Sequence, residues 1–150
     1  MKSDPIRAPG PIDSSAWLLV FAAWVIATSA TLAVLFFGEV MHYPICTLCW
    51  YQRIFMMPLA VILPLGLFPF DPRVVRYGLP LAVIGGLIAV FHQLLVMGII
   101  PESIKPCTQG VPCSTTVVTW FGFLTIPLLS VLAFLTIAAL LLAARLRSSR

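Results

Sequence analysis

Four long apolar runs, parted by short polar or proline-rich segments, set the pattern of the chain. They cover residues 16–38, 46–68, 77–99 and 115–144. Each is long enough to cross the ~30 Å hydrocarbon core of a bilayer as a helix. The segments between them are short: residues 39–45 without Lys or Arg, 69–76 with Asp71, Arg73 and Arg76, and 101–114 with three prolines, Glu102 and Lys105. Pro58 and Pro64 fall inside the second run, which membrane helices tolerate with a kink. The Gly85-Gly86 pair in the third run allows either a close helix approach or a bend. The first run exceeds a signal-peptide core, and Phe36-Phe37-Gly38 makes a poor cleavage site, so it is expected to remain as a helix. The predicted fold class is therefore all-α, a polytopic membrane four-helix bundle. Residues 1–15 form a polar tail and residues 145–150 a basic one. No internal repeat or low-complexity segment is evident.

Composition supports the membrane reading. The 150 residues are 61% hydrophobic and 9% charged, with a mean hydropathy of +1.07. A soluble domain of this length could not hide that much apolar surface. The net charge of +4 raises a nucleic-acid function, but the basic residues are too few and scattered to track a phosphate backbone. They sort instead by side. Lys2, Arg7, Arg73, Arg76, Arg145, Arg147 and Arg150 fall on one face of a four-span topology, and Lys105 alone falls in a loop on the other. The positive-inside rule puts both termini and the middle loop in the cytoplasm. Trp50, Tyr51 and Trp120 then lie at the outer interface, where amphipathic rings belong.

Against this frame, Cys46-Thr47-Leu48-Cys49-Trp50-Tyr51-Gln52-Arg53 is the stretch with chemistry in it. Two thiols at this spacing can close a small disulfide and reopen it. Pro44 precedes them and suits a helix start, so first-turn N–H groups and the helix dipole favour a thiolate there. Arg53 follows Cys49 by four residues and shares its helix face. Its guanidinium can stabilise a thiolate or hold the oxygen of an electron acceptor, a role that its place beside Cys49 favours over snorkelling to the headgroups. Cys107 and Cys113 form a second close pair, where Pro106, Pro112 and Gly110 make a loop disulfide easy to build. Both pairs face the outer, oxidising side, which permits exchange between them. His92 lies about two turns from the outer end of the third run, at a depth near Arg53. Gln52 and Gln93 serve as polar partners or as helix glue. These residues point to transfer of electrons from protein thiols into the membrane. A soft-metal binding or transport protein using Cys46, Cys49 and His42 is the alternative, and a bundle with two static disulfides is a third reading.

The arrangement resembles the DsbB/BdbC family of bacterial disulfide bond formation proteins. The resemblance rests on Cys46 to Arg53 at the start of the second helix, His92 in the third and the outer Cys107/Cys113 pair before the fourth. It spans about residues 16–144. The close second pair matches the shorter, BdbC-like members, and Gln52 stands where many relatives have Glu. The vitamin K epoxide reductase family has similar parts in another order. The resemblance implies a quinone-dependent thiol oxidoreductase of the bacterial cytoplasmic membrane, its redox cysteines on the extracytoplasmic face. It would reoxidise a DsbA-like, thioredoxin-fold dithiol oxidase and pass the electrons to ubiquinone or menaquinone in the membrane pool. It implies catalytic roles for Cys46, Cys49, Cys107 and Cys113, redox disulfides Cys46–Cys49 and Cys107–Cys113, quinone contacts from Arg53 and His92, and no bound metal.

Overall fold

The computed structural model describes residues 14–42, 45–101, 119–120 and 124–148. Four helices carry it: α1 (Ser14–Leu35), α2 (Thr47–Leu65), α3 (Val74–Val96) and α4 (Ile126–Ser148). All four are long and apolar enough to cross a membrane. Each packs on its neighbours in sequence, and α1 packs on α4, so the bundle closes into a ring.

The inward faces follow helical spacing. In α1, Ala16, Val20, Ala23 and Ala27 are buried, a seam of small residues that lets neighbouring backbones approach. In α2 the inward stripe begins as Leu63, Leu59 and Met56 and then turns polar with Arg53 and Gln52. In α3 the same stripe runs through Ala82, Gly85 and Ala89 and reaches His92. The bundle thus has an apolar interior with a polar end. The outward positions are apolar too, including Leu18, Leu32, Val61, Leu87 and Leu135, as a lipid-facing surface requires.

Glycine and proline set the close contacts. A Cβ on Gly85 would run into the ring of Phe134, so the α3–α4 crossing depends on a bare backbone at that point. Pro64 has no N–H to give the Ala60 carbonyl four residues before it. Trp24 of α1 fills the vacancy: its indole Nε1–H donates to that carbonyl at 3.1 Å.

The α2–α3 connection is a compact turn. The Asp71 N–H donates to the Gly66 carbonyl at 2.8 Å, and Asp71 Oδ1 accepts the Arg73 N–H at 2.9 Å.

Two boundaries differ from the hydrophobic pattern. The first run does not end cleanly: α1 passes into one wide π turn, Phe36–Val40, in which Met41 N–H donates to the Phe36 carbonyl at 3.1 Å. The fourth run was expected to be helical from about residue 115, but α4 starts at Ile126. Ahead of it a two-residue strand β1 (Thr119–Trp120) pairs antiparallel with β2 (Leu124–Thr125). Thr125 explains the start. Its hydroxyl accepts the Leu128 N–H at 3.4 Å, an N-terminal cap, and Pro127 occupies the first turn, where a missing donor costs nothing.

Candidate functional site

Cys46 is the N-cap of α2, with extended backbone (φ −76°, ψ 161°), and its carbonyl accepts the Trp50 N–H at 3.3 Å. Cys49 lies in the first turn. The two sulfurs are 3.0 Å apart, beyond the ~2.05 Å of a disulfide bond, so this is the free dithiol. Cys46 is buried and Cys49 is half-buried.

α3 brings His92 to the pair. Its Nε2 is 3.7 Å from Cys46 Sγ, and its Nδ1 is 3.1 Å from Gln52 Nε2. His92 is 3% exposed and Gln52 6%. With the Gln52 amide donating to Nδ1, the neutral ring carries its proton on Nε2, towards the Cys46 sulfur. Gln52, expected to be a polar partner or helix glue, is the residue that fixes this imidazole. Helical spacing alone carried that signal, because Gln52 falls one turn after Leu48 on the inward face.

Arg53 does not snorkel. It is 5% exposed, and its Nη2–H donates to the Val34 carbonyl near the end of α1 at 2.7 Å. The guanidinium carbon is 5.1 Å from the Trp50 ring centre, within cation–π range. Its buried Nε–H has no hydrogen-bond partner among the described residues. The π turn makes room for it: a Cβ on Gly38 would lie 2.6 Å from Nη2 and 2.8 Å from Ile45. Nothing in the hydrophobic pattern marked Gly38 as part of the site.

Cys46, Cys49, Gln52, Arg53 and His92 all line one cavity of about 520 Å³, otherwise walled mainly by apolar side chains of α1, α2 and α4. That is the size and character of a small-molecule pocket. The predicted quartet of Cys46, Cys49, Arg53 and His92 is thus brought together. Cys107 and Cys113 lie outside the described residues. His42 is exposed, with a positive φ of 51°. Among the described residues, the grouping of metal-ligating side chains is Cys46, Cys49 and His92, so His42 is not the histidine beside the pair.

The family model for disulfide bond formation protein DsbB matches residues 13–144. The chain belongs to the DsbB family. A probable disulfide formation protein of Metapseudomonas resinovorans is 46% identical over 134 residues, covering 89% of this chain and 93% of the relative. Disulfide bond formation protein C of Bacillus subtilis (strain 168) is 47% identical over 122 residues, 80% and 87% of the two chains. A probable disulfide formation protein of Deinococcus radiodurans is 45% identical over 131 residues. No solved structure gives a significant match. Membership in the DsbB family, with four spanning helices, makes this a multi-pass membrane protein of disulfide bond formation, with the chemistry of a thiol oxidoreductase.

Proposed function

We propose that this chain is a quinone-linked thiol oxidase of the bacterial cytoplasmic membrane. It would reoxidise a thioredoxin-fold, DsbA-like dithiol partner on the extracytoplasmic side. One observation carries the reading: the Cys46/Cys49 pair opens on an apolar cavity that Arg53 also lines, and the buried Arg53 Nε–H has no partner among the described residues. A buried donor without an acceptor costs about 1–3 kcal/mol. A ligand oxygen in the cavity would recover that energy, and an apolar ring with carbonyl oxygens suits both the walls and the donor.

The electrons balance as follows. The partner's dithiol becomes a disulfide as the Cys107–Cys113 disulfide is reduced to two thiols. The Cys113 thiolate then attacks the Cys46–Cys49 disulfide at Cys46 and releases Cys49 as a thiolate. The Cys107 thiolate then attacks the Cys113 sulfur of this mixed disulfide and releases Cys46 as a thiolate, which restores the outer disulfide and leaves Cys46 and Cys49 reduced. Re-formation of the Cys46–Cys49 bond gives up two electrons and two protons, which a quinone held in the cavity by Arg53 would accept.

Within this sequence the chain's own groups divide the work. Arg53 holds an acceptor oxygen and stabilises negative charge there. His92 gives or takes a proton at Cys46 Sγ, and Gln52 sets which nitrogen does so. The apolar walls keep water from the pair.

The same reading puts the Arg73/Arg76 turn and the Arg145/Arg147 end of α4 in the cytoplasm, leaving the cysteine end outside. Ubiquinone and menaquinone both satisfy the cavity's chemistry. The test is quinone absorbance with time, using purified protein, a soluble quinone analogue and a reduced thioredoxin-fold dithiol. Catalytic quinone loss that disappears in Cys49→Ser supports the oxidase. No loss from folded protein, across several quinones and partners, would remove it.

A further inference from the structure

The dithiol and His92 together have the makings of a second site. We propose that the reduced Cys46/Cys49 pair, with His92, binds a thiophilic d10 cation such as Zn²⁺, and that the oxidised pair does not. The inference rests on the oxidase reading only in taking the pair to cycle through a dithiol; the binding itself needs neither quinone nor partner.

The geometry is close to what such an ion requires. The three ligand atoms lie within 4.8 Å of one another. In a tetrahedral site with Zn–S of about 2.3 Å and Zn–N of about 2.05 Å, a sulfur and a nitrogen stand about 3.6 Å apart. Cys46 Sγ and His92 Nε2 are 3.7 Å apart. Two sulfurs on zinc stand about 3.8 Å apart, so the 3.0 Å pair must open, a movement within reach of the Cys49 side chain on the first turn. A disulfide blocks it, because the bond holds the sulfurs at ~2.05 Å and leaves no thiolate to donate.

Charge and orientation also fit. Two thiol protons leave as the ion enters, so a divalent ion on two thiolates and a neutral imidazole is locally uncharged, which a buried setting favours. A metal on Nε2 requires the proton on Nδ1. The Gln52 amide lies 3.1 Å from Nδ1, and turning it over presents Oε1 to accept that proton, the usual outer support of a metal-bound histidine. The fourth position opens on the cavity, where water completes the set. Occupied in this way, the pair would be held reduced and out of exchange.

The test uses full-length protein in detergent carrying Cys107→Ser and Cys113→Ser, so that the inner pair alone supplies thiols. Zinc retained after removal of free metal is measured on reduced and oxidised samples, and affinity by competition with a chromogenic chelator. Reduced protein is expected to hold about one Zn²⁺ per chain and to melt at a higher temperature with zinc. The oxidised sample should show neither effect and also serves as the folding control. Cys49→Ser should abolish retention. His92→Gln, which keeps a hydrogen-bonding side chain beside Gln52, should weaken affinity by at least about tenfold. Zinc retained after oxidation, affinity unchanged in His92→Gln, or no retention by folded reduced protein would each overturn the proposal.

Discussion

Arg53 shows how much one side chain is asked to do. One Nη2–H is committed to Val34 and the guanidinium face to Trp50, and the buried Nε–H, without a partner among the described residues, is a donor open to a ligand. Arg53→Ala should therefore raise the apparent KM for quinone by roughly 10–100-fold, the ~1.5–3 kcal/mol of a charged hydrogen bond. Arg53→Lys should not restore it, since one ammonium cannot keep the Val34 contact and present a second, fixed donor. Gly38→Ala should mimic a milder form of the same defect, because the new methyl displaces Nη2; steady-state kinetics against quinone concentration would show a raised KM with the thiol half-reaction intact. The sequence revealed Arg53 readily, since a charge inside an apolar run is conspicuous. It did not reveal Gly38, whose role depends on a π turn that brings it against a residue of another helix. Gln52 was visible as a polar residue on the right face, but its partner was not, because no spacing rule relates residue 52 to residue 92.

At the scale of the element, four helices were legible because twenty-residue apolar runs leave little else in a bilayer. Their ends were less so. Residues 115–125 are apolar enough to continue a helix, yet Thr115, Thr116, Val117, Val118 and Thr119 are β-branched, which lowers helix preference, and Thr125 with Pro127 marks the true start. Thr125 also donates to Gln93 Oε1 at 3.2 Å, which ties the start of α4 to α3 one residue beyond His92. The Gly85–Phe134 contact makes the third helix testable in turn. Gly85→Ala should destabilise the protein by about 1–3 kcal/mol through overpacking, and Phe134→Ala in the same chain should relieve most of that loss. Thermal unfolding of the two single variants and the double variant would measure the coupling.

For the molecule as a whole, sidedness is the property most open to direct test. Under the proposed topology, with both termini inside, Pro72→Cys in a chain lacking its native cysteines should react with a membrane-impermeant maleimide only after the cells are opened. Ile99→Cys, at an exposed position near the other end of α3, should react in intact cells. The reverse pattern would invert the topology. One contact within the bundle also bears on how it is made. Pro64 leaves the Ala60 carbonyl without its helical donor, and Trp24 supplies one from α1. In lipid an unsatisfied backbone group costs several kcal/mol, so α2 is complete only once α1 lies against it. Trp24→Phe should then lower stability by about 1–3 kcal/mol, read as thermal unfolding in detergent, without changing the KM for quinone. Because α1 leaves the ribosome first, the donor is already in the bilayer when α2 arrives. The second helix is thus suited to follow the first into the membrane, relying on its predecessor to finish its own backbone.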